Sequence, residues 1–356
     1  METAVICVTV RGMQTGRVIL ENLENAVLFV PEHLTDTPAR PGRIIRFKKP
    51  LSSITGTLME KYTQLIFVMA TGIVVRHIAP FIVDKRTDPA VVVLDEKGIH
   101  VISLLSGHLG GANALALQVA SCTKGTPVIT TASDIHNKPA IDLVAKSSGC
   151  VIENPDRIPA FMRAFLDGDP VGVFDPEKKI SGNFEKYKNV IFFNSVEEAE
   201  KNDKLERVLV SNERYDSRKT KKSALLLRPR NIIAGIGCRR GVLSSEIEEA
   251  FSSACEIARV SRFSLNLVAT VDLKKNETGL LEFSEKHGVQ VRFFSANEIQ
   301  AETGNAKEEG QVKSLIGVSG VCEPCAALAG GRGRLLLKKT KYKKKVTIAL
   351  ALAGGQ

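Results

Sequence analysis

A chain of 356 residues is too long for one ordinary core, and 44% hydrophobic with 25% charged residues excludes extensive disorder, so two or three globular domains are expected. No apolar run, Leu65–Ala70 and Ile348–Ala353 included, approaches the roughly 20 residues of a membrane span. Seven cysteines, an odd number, argue against a disulfide framework, and a net charge of +10 points to polyanionic partners, whether nucleic acid, anionic lipid or a small polycarboxylate.

Met1-Glu2-Thr3 leads straight into an apolar strand-like run without a basic n-region or cleavage site, which predicts a cytoplasmic protein. Short Val/Ile-rich runs at Ala4–Val10, Ala26–Val30, Leu65–Met69, Ala90–Leu94, Val128–Thr130 and Val151–Glu153 alternate with patterns of helical period such as Ala112–Ser121. That alternation predicts a multidomain α/β protein of open, mostly parallel sheets flanked by helices. Residues 1–136 read as a first domain. Residues 137–228, punctuated by Pro155, Pro159, Pro170 and Pro176, read as a central linker domain. A third, 229–356, begins with a strand, a Gly-rich turn over Gly235–Gly241 and a helix over Ser244–Cys255. Strands are expected at Leu265–Val271, Val289–Phe294, Leu335–Leu337 and Val346–Ala351, the last two joined through the lysine-rich run Lys338–Lys345. A second basic cluster holds Arg214, Arg218, Lys219, Lys221, Lys222, Arg228 and Arg230. Solvated charge is the expected reading for most of both clusters. With Trp absent and Tyr rare, stacking on bases has few candidates, so no nucleic acid is expected as partner, and no membrane.

The densest chemistry-bearing stretch is Ser106-Gly107-His108-Leu109-Gly110-Gly111-Ala112-Asn113, between a strand and a helix. Glycines there let the backbone approach a ligand and aim free amides at it, and a helix start suits a carboxylate or an oxyanion. His108 supplies tunable protonation, with Ser106 and Asn113 as polar arms. The bland alternative is a capping or packing histidine. Thr71-Gly72 opens a similar turn carrying Arg76 and His77, followed by Asp84, Lys85 and Asp88, the two acids being as well suited to capping turns as to catalysis. The spacing fits neither a dinucleotide fingerprint nor a P-loop. Gly235-Ile236-Gly237-Cys238-Arg239-Arg240-Gly241 has three readings: a nicotinamide pyrophosphate site, a nest for another anion, or a tight turn. Cys322 and Cys325 lack further zinc ligands nearby and read as small packing residues, so no metal site is expected.

Val75-Arg76-His77-Ile78-Ala79-Pro80, Asp84-Lys85, Asp88–Val91, Leu104–Asn113 and Val128–Asp134, with Gly235–Gly241, Thr270–Glu277 and Val321–Leu328 downstream, resemble the CbiG family, the cobalt-precorrin-5A hydrolases of anaerobic cobalamin biosynthesis. The match spans both ends of the chain. Departures are Ser133 where the family pattern suggests Thr, Asn276 where it suggests an acid, and Cys322 and Cys325 where it suggests small residues. The resemblance implies opening of the ring A δ-lactone of cobalt-precorrin-5A, with release of the C20 fragment as acetaldehyde to give cobalt-precorrin-5B. It implies no cofactor, because the cobalt is part of the tetrapyrrole substrate. A homodimer or a transient contact with other cobalamin pathway enzymes stays open. For this chemistry residue type and position nominate His108, then His77, as the base, and the Gly110 and Gly111 amides as oxyanion donors. Arg76, Lys85 and Arg239 would clamp substrate carboxylates, with Ser106, Gly107, Asn113, Gly237 and Glu323 lining the substrate. An NADP-dependent oxidoreductase and a non-catalytic tetrapyrrole-binding protein are the alternatives.

Overall fold

In a computed structural model, which describes residues 2–34, 43–48, 50–84, 87–214, 224–303, 320–331 and 333–354, the run Ala90–Leu94 is a strand buried on both faces. Ala90, Val92 and Leu94 join one core, and Val91 and Val93 the opposite one. Such continuous apolar strands belong to sheets covered by helices on both sides. The described residues divide into two compact units, Met1–Leu143 and Val144–Gln356.

The first unit holds a seven-stranded sheet in the order β3-β2-β1-β4-β5-β6-β7, built from Thr3–Cys7 (β1), Ala26–Pro31 (β2), Ile44–Phe47 (β3), Gln64–Val68 (β4), Ala90–Leu94 (β5), His100–Leu105 (β6) and Thr126–Val128 (β7). Helices Val10–Asn22 (α1) and Ala112–Thr123 (α4) cover one face, while Ser52–Lys61 (α2) and Thr71–Ile78 (α3) cover the other. The apolar run Ala4–Val10 therefore splits: its strand ends at Cys7, where the Thr9 side chain accepts from the Gly12 amide and starts α1. Strands β1 to β5 are parallel, but β6 pairs with β5 antiparallel, Val91 opposite Leu105, and β7 follows β6 in parallel. Hence the carboxyl ends of β6 and β7 lie at the edge where β1, β4 and β5 begin.

The second unit holds two five-stranded sheets. Residues 150–229 form one with order β10-β9-β11-β12-β8, its strands being Cys150–Ile152 (β8), Val171–Phe174 (β9), Val190–Phe193 (β10), Glu206–Val210 (β11) and Leu225–Pro229 (β12). This stretch, read as a linker domain, has its own core around Phe174, Phe193 and Leu209. The other sheet, β15-β14-β13-β17-β16, comprises Ile232–Cys238 (β13), Leu265–Val271 (β14), Gln290–Phe294 (β15), Leu335–Tyr342 (β16) and Val346–Leu352 (β17). Its first three strands are parallel, and the β16–β17 hairpin is antiparallel. Among the described residues no helix is long and apolar enough to cross a membrane.

The lysine-rich run is mostly strand. β16 continues to Tyr342, and the turn is Lys343-Lys344, both left-handed, closed by the Lys345 amide donating to the Tyr342 carbonyl at 3.0 Å. Lysines on this edge strand also discourage pairing with another sheet. Lys343 and Lys345 bind Glu249 and Glu246 of helix Ser244–Ala258 at 2.8 and 2.7 Å, so part of the expected basic surface is neutralised within the unit. In the other basic cluster Arg214 pairs with Glu256, and Arg228 is buried. Residues 215–223, with Arg218, Lys219, Lys221 and Lys222, lie outside the described residues.

Candidate active site

After Leu105 the chain turns sharply. Ser106 takes a left-handed backbone with φ of 56°, and Gly110 packs against it so closely that a Cβ there would lie 2.4 Å from the Ser106 Cβ. The turn winds into α4 by donating the Gly111 amide to the His108 carbonyl, the Ala112 amide to Ser106 and the Asn113 amide to Gly107, at 3.0–3.1 Å. The Gly111 amide, expected to face an oxyanion, is thus spent inside the turn, whereas the Gly110 amide meets no acceptor among the described residues. The Ser106 hydroxyl is buried, also without a partner among them.

Asn113 ties this turn to the one that follows β7. Its buried amide accepts from Ser103 Oγ at 2.7 Å and donates to Thr131 Oγ1 at 3.2 Å and Asp134 Oδ2 at 3.0 Å. His108 is gripped from the same side, with Nε2 at 3.0 Å from both Asp134 Oδ2 and Ser133 Oγ. Its other nitrogen, Nδ1, faces Asp142 Oδ2 at 3.8 Å, the carboxylate lying at the start of helix Ile141–Ser147. An imidazole, a serine hydroxyl and two carboxylates therefore converge where β6 and β7 end. Such a set can accept, hold and return a proton.

Arg76 and His77 are not part of it. They occupy the last turn of α3 on the opposite face of the sheet from α4, rather than a strand-end turn; Arg76 NH1 bonds its own helix at the Gly72 carbonyl, 3.0 Å away. No hydrogen bond or ion pair among the described residues joins either to His108. Asp88 caps a loop, accepting the Val83 amide at 3.1 and 3.2 Å. Lys85 and Arg86 lie outside the described residues. Sequence reasoning picked out His108, Ser106 and Asn113 but left Ser133, Asp134 and Asp142 out of the site. The Val128–Asp134 pattern, apolar strand then polar turn, was the available signal for the first two; Asp142 carries none.

In the second unit the Gly235–Gly241 segment differs from the expected turn. Gly235, Ile236, Gly237 and Cys238 continue β13, and only Arg239–Gly241 turns. A Cβ at Gly235 would stand 1.8 Å from the Cys322 carbonyl oxygen, so this glycine admits helix Cys322–Ala329 against the strand. Gly237 accepts from Thr347 Oγ1 at 3.2 Å, Arg239 is exposed with its amide on the Lys345 carbonyl, and Glu323 accepts the Lys339 amide. Burial pushes the Cys322 and Cys325 thiols up to about 11 and about 12, which leaves both protonated near neutrality.

The Gly241 amide is met by the protein's own carboxylate, Glu277 Oε1, at 2.6 Å, and Lys274 Nζ holds the other oxygen at 3.1 Å. An internal anion therefore occupies the Gly241 amide, a donor of the kind a nucleotide phosphate would use. Burial raises the Glu277 pKa, but the Gly241 amide, Lys274 and Arg240 outweigh it and hold the group below the usual carboxylate range. A depressed folded value stabilises the fold above the unfolded pKa, and the benefit is lost as pH falls through the folded one. Glu277→Gln should therefore cost about 1–2 kcal/mol at neutral pH, and the deficit should shrink on acidification below about pH 4. Thermal midpoints of both proteins across pH 3 to 7 check this; parallel curves would show that Glu277 carries no linked charge.

Three family profiles match in chain order: "Cobalamin synthesis G N-terminal" over residues 53–134, "Cobalamin biosynthesis central region" over 139–229 and "Cobalamin synthesis G C-terminus" over 232–351. A protein of Priestia megaterium called cobalt-precorrin-5A hydrolase is 32% identical, covering 98% of this chain and 94% of its own length. One of the same name in Salmonella typhimurium is 31% identical over 98% of this chain and 97% of its own. A probable cobalt-precorrin-5A hydrolase of Methanocaldococcus jannaschii is 31% identical over 80% of this chain and 84% of its own. With whole-length likeness of this order and all three profiles in register, the chain belongs to the cobalamin synthesis G family, CbiG.

Proposed function

We propose that the chain is a cobalt-precorrin-5A hydrolase, opening the ring A δ-lactone of its tetrapyrrole substrate and releasing the C20 fragment as acetaldehyde, with cobalt-precorrin-5B as product. The relatives named for that activity match this chain over almost its whole length. The single observation that carries the reading to particular atoms is the His108 cluster, an imidazole within 3.0 Å of a hydroxyl and a carboxylate at the carboxyl ends of β6 and β7.

Lactone opening is acyl transfer. It needs a proton acceptor for the attacking oxygen, a donor for the tetrahedral oxyanion and a proton for the departing alkoxide. His108 fills the first and third roles in succession, and the uncommitted Gly110 amide the second. Arg76 and Arg239 are each exposed, and a planar, permanently charged guanidinium of this kind suits a substrate carboxylate. Loss of the C20 fragment then follows as a retro-aldol step, with the electron-poor macrocycle as acceptor. The cobalt arrives with the substrate, and the enzyme works in the cytoplasm. Purified protein incubated with cobalt-precorrin-5A should yield acetaldehyde in step with loss of the lactone, read by mass spectrometry and a coupled aldehyde assay. Unchanged substrate would overturn the assignment.

A further inference from the structure

We propose that Ser133 is the nucleophile of the lactone-opening step and forms a transient acyl-enzyme, with His108 as its base and Asp142 as the residue that orients the ring. The proposal rests on the reading of the chain as a lactone-opening hydrolase and adds the identity of the attacking atom.

Three groups fall in the order that acyl transfer uses. Ser133 Oγ lies 3.0 Å from His108 Nε2, and Asp142 Oδ2 faces Nδ1 on the other side of the ring at 3.8 Å. Hydroxyl, imidazole and carboxylate in that sequence recur on unrelated folds, recognised by geometry rather than by chain order, and the links are often loose before substrate binds. The three come from different segments: the β6–α4 turn, the short helix Ala132–Ile135 that follows β7, and helix Ile141–Ser147. Ser133 is only 4% exposed, while its neighbour Asp134 has a side chain 41% exposed, so the cluster opens to solvent on the Asp134 side.

Geometry also favours the serine over water. A water activated by His108 must sit at a ring nitrogen. Nε2 is already flanked by Ser133 Oγ and Asp134 Oδ2, and Nδ1 is turned towards Asp142, whose side chain is 15% exposed. The oxygen in place to lose a proton is that of Ser133. Asp134 then has a defined part. Its Oδ2 is held by Asn113 Nδ2 at 3.0 Å, beside the same ring nitrogen. With the ring proton on Nδ1, towards Asp142, Nε2 accepts from the serine while the Asp134 carboxylate is held by Asn113. Once it carries the proton, Asp134 and Asp142 face the charged ring from both sides.

The bonds balance without any added reagent but water. Ser133 Oγ bonds to the lactone carbonyl carbon as its proton passes to Nε2. The bond from that carbon to the ring oxygen of the lactone breaks, and the departing alkoxide takes the proton from Nε2. Water next bonds to the carbonyl carbon of the serine ester, giving its proton to Nε2. The bond to Oγ then breaks, and Oγ recovers the proton.

The test uses the full-length protein and its variants Ser133→Ala, Ser133→Thr and Asp142→Asn. In acid-quenched single turnovers with cobalt-precorrin-5A, wild type should carry an adduct of the whole substrate mass on the peptide containing Ser133. S133A should lack it and open the lactone slower by on the order of 100-fold or more, with substrate affinity and thermal midpoint unchanged. S133T keeps a hydroxyl and should restore the adduct, which a merely structural serine would not require. D142N should slow the step without abolishing the adduct. If S133A opened the lactone within about ten-fold of wild type, water would be the attacker; the serine proposal would fall and the hydrolase reading would stand. If wild type itself left the substrate intact, the hydrolase reading would fall. The triad would then be decided by a fluorophosphonate probe: labelling of Ser133 that is lost in His108→Ala supports it, and no labelling of wild type overturns it.

Discussion

His108→Ala is expected to lower turnover by on the order of 10²–10⁴-fold, the usual contribution of one well-placed proton-transfer group. The expectation follows from what the ring touches. Its nitrogens face Asp134, Ser133 and Asp142, so among the described residues the ring is the group that joins the hydroxyl to both carboxylates. The fold should tolerate the change, because Asn113 still ties Asp134 and Thr131 to the β6–α4 turn when the ring is gone. Substrate binding should also persist, so the loss falls on kcat rather than KM. Acetaldehyde release, followed for wild type, H108A and H108Q, gives the answer. Glutamine fills the space and keeps polar contacts without transferring protons, so both variants should fail alike. Activity retained by H108Q alone would reduce the histidine to a packing role, and near-normal turnover by both would move the base elsewhere.

How far sequence could anticipate this depends on whether the signal was local. Strands buried on both faces, such as β5 and Leu265–Val271, are plain in composition, and their bounds fall where expected. The His108 turn is equally plain, because glycines and polar residues interrupt an apolar run just before a helix. The direction of β6 was also within reach. Only residues 95–99 separate Leu94 from His100, too few for a parallel crossover, so the strand had to turn back. That reversal brings Ser106–Asn113 and Thr131–Asp134 to one edge. By contrast, a polar residue at a helix start, as Asp142 is, looks the same whether it caps its helix or faces a histidine 34 positions away. Gly235 and Gly237 misled for a similar reason. Glycine spacing that suggests a phosphate turn equally admits a close neighbour, and that neighbour, the Cys322 carbonyl, is remote in sequence. The Lys343-Lys344 turn lacks the Asn-Gly chemistry its left-handed backbone favours, which hid the true end of β16.

Arg228→Ala should destabilise the second unit by about 3 kcal/mol, even though the residue reads in sequence as one more solvated cation of a basic cluster. It is 1% exposed in β12. Its Nε donates to Glu153 Oε2, and NH1 donates to the Ser211 and Glu213 carbonyls at 2.8 and 2.6 Å. Glu153 in turn accepts from Ser261 Oγ at 3.0 Å, so one guanidinium links the end of β8, the segment after β11 and the chain leading into β14. Removing it leaves a carboxylate without its counter-charge and two carbonyls without their donor, besides a cavity. The loss stays at the lower end of the range for buried pairs because Glu153 is 29% exposed and keeps part of its hydration. Arg228→Met, which preserves volume, should still lose most of this stability if the polar links matter, whereas a packing role would let methionine recover it. Adding Glu153→Gln to Arg228→Met should restore part of the loss by removing the stranded charge. Denaturant midpoints at constant slope measure all three changes. An Arg228→Ala protein as stable as wild type would mean that the three segments hold together without it, through backbone pairings such as that of Glu213 with Val260.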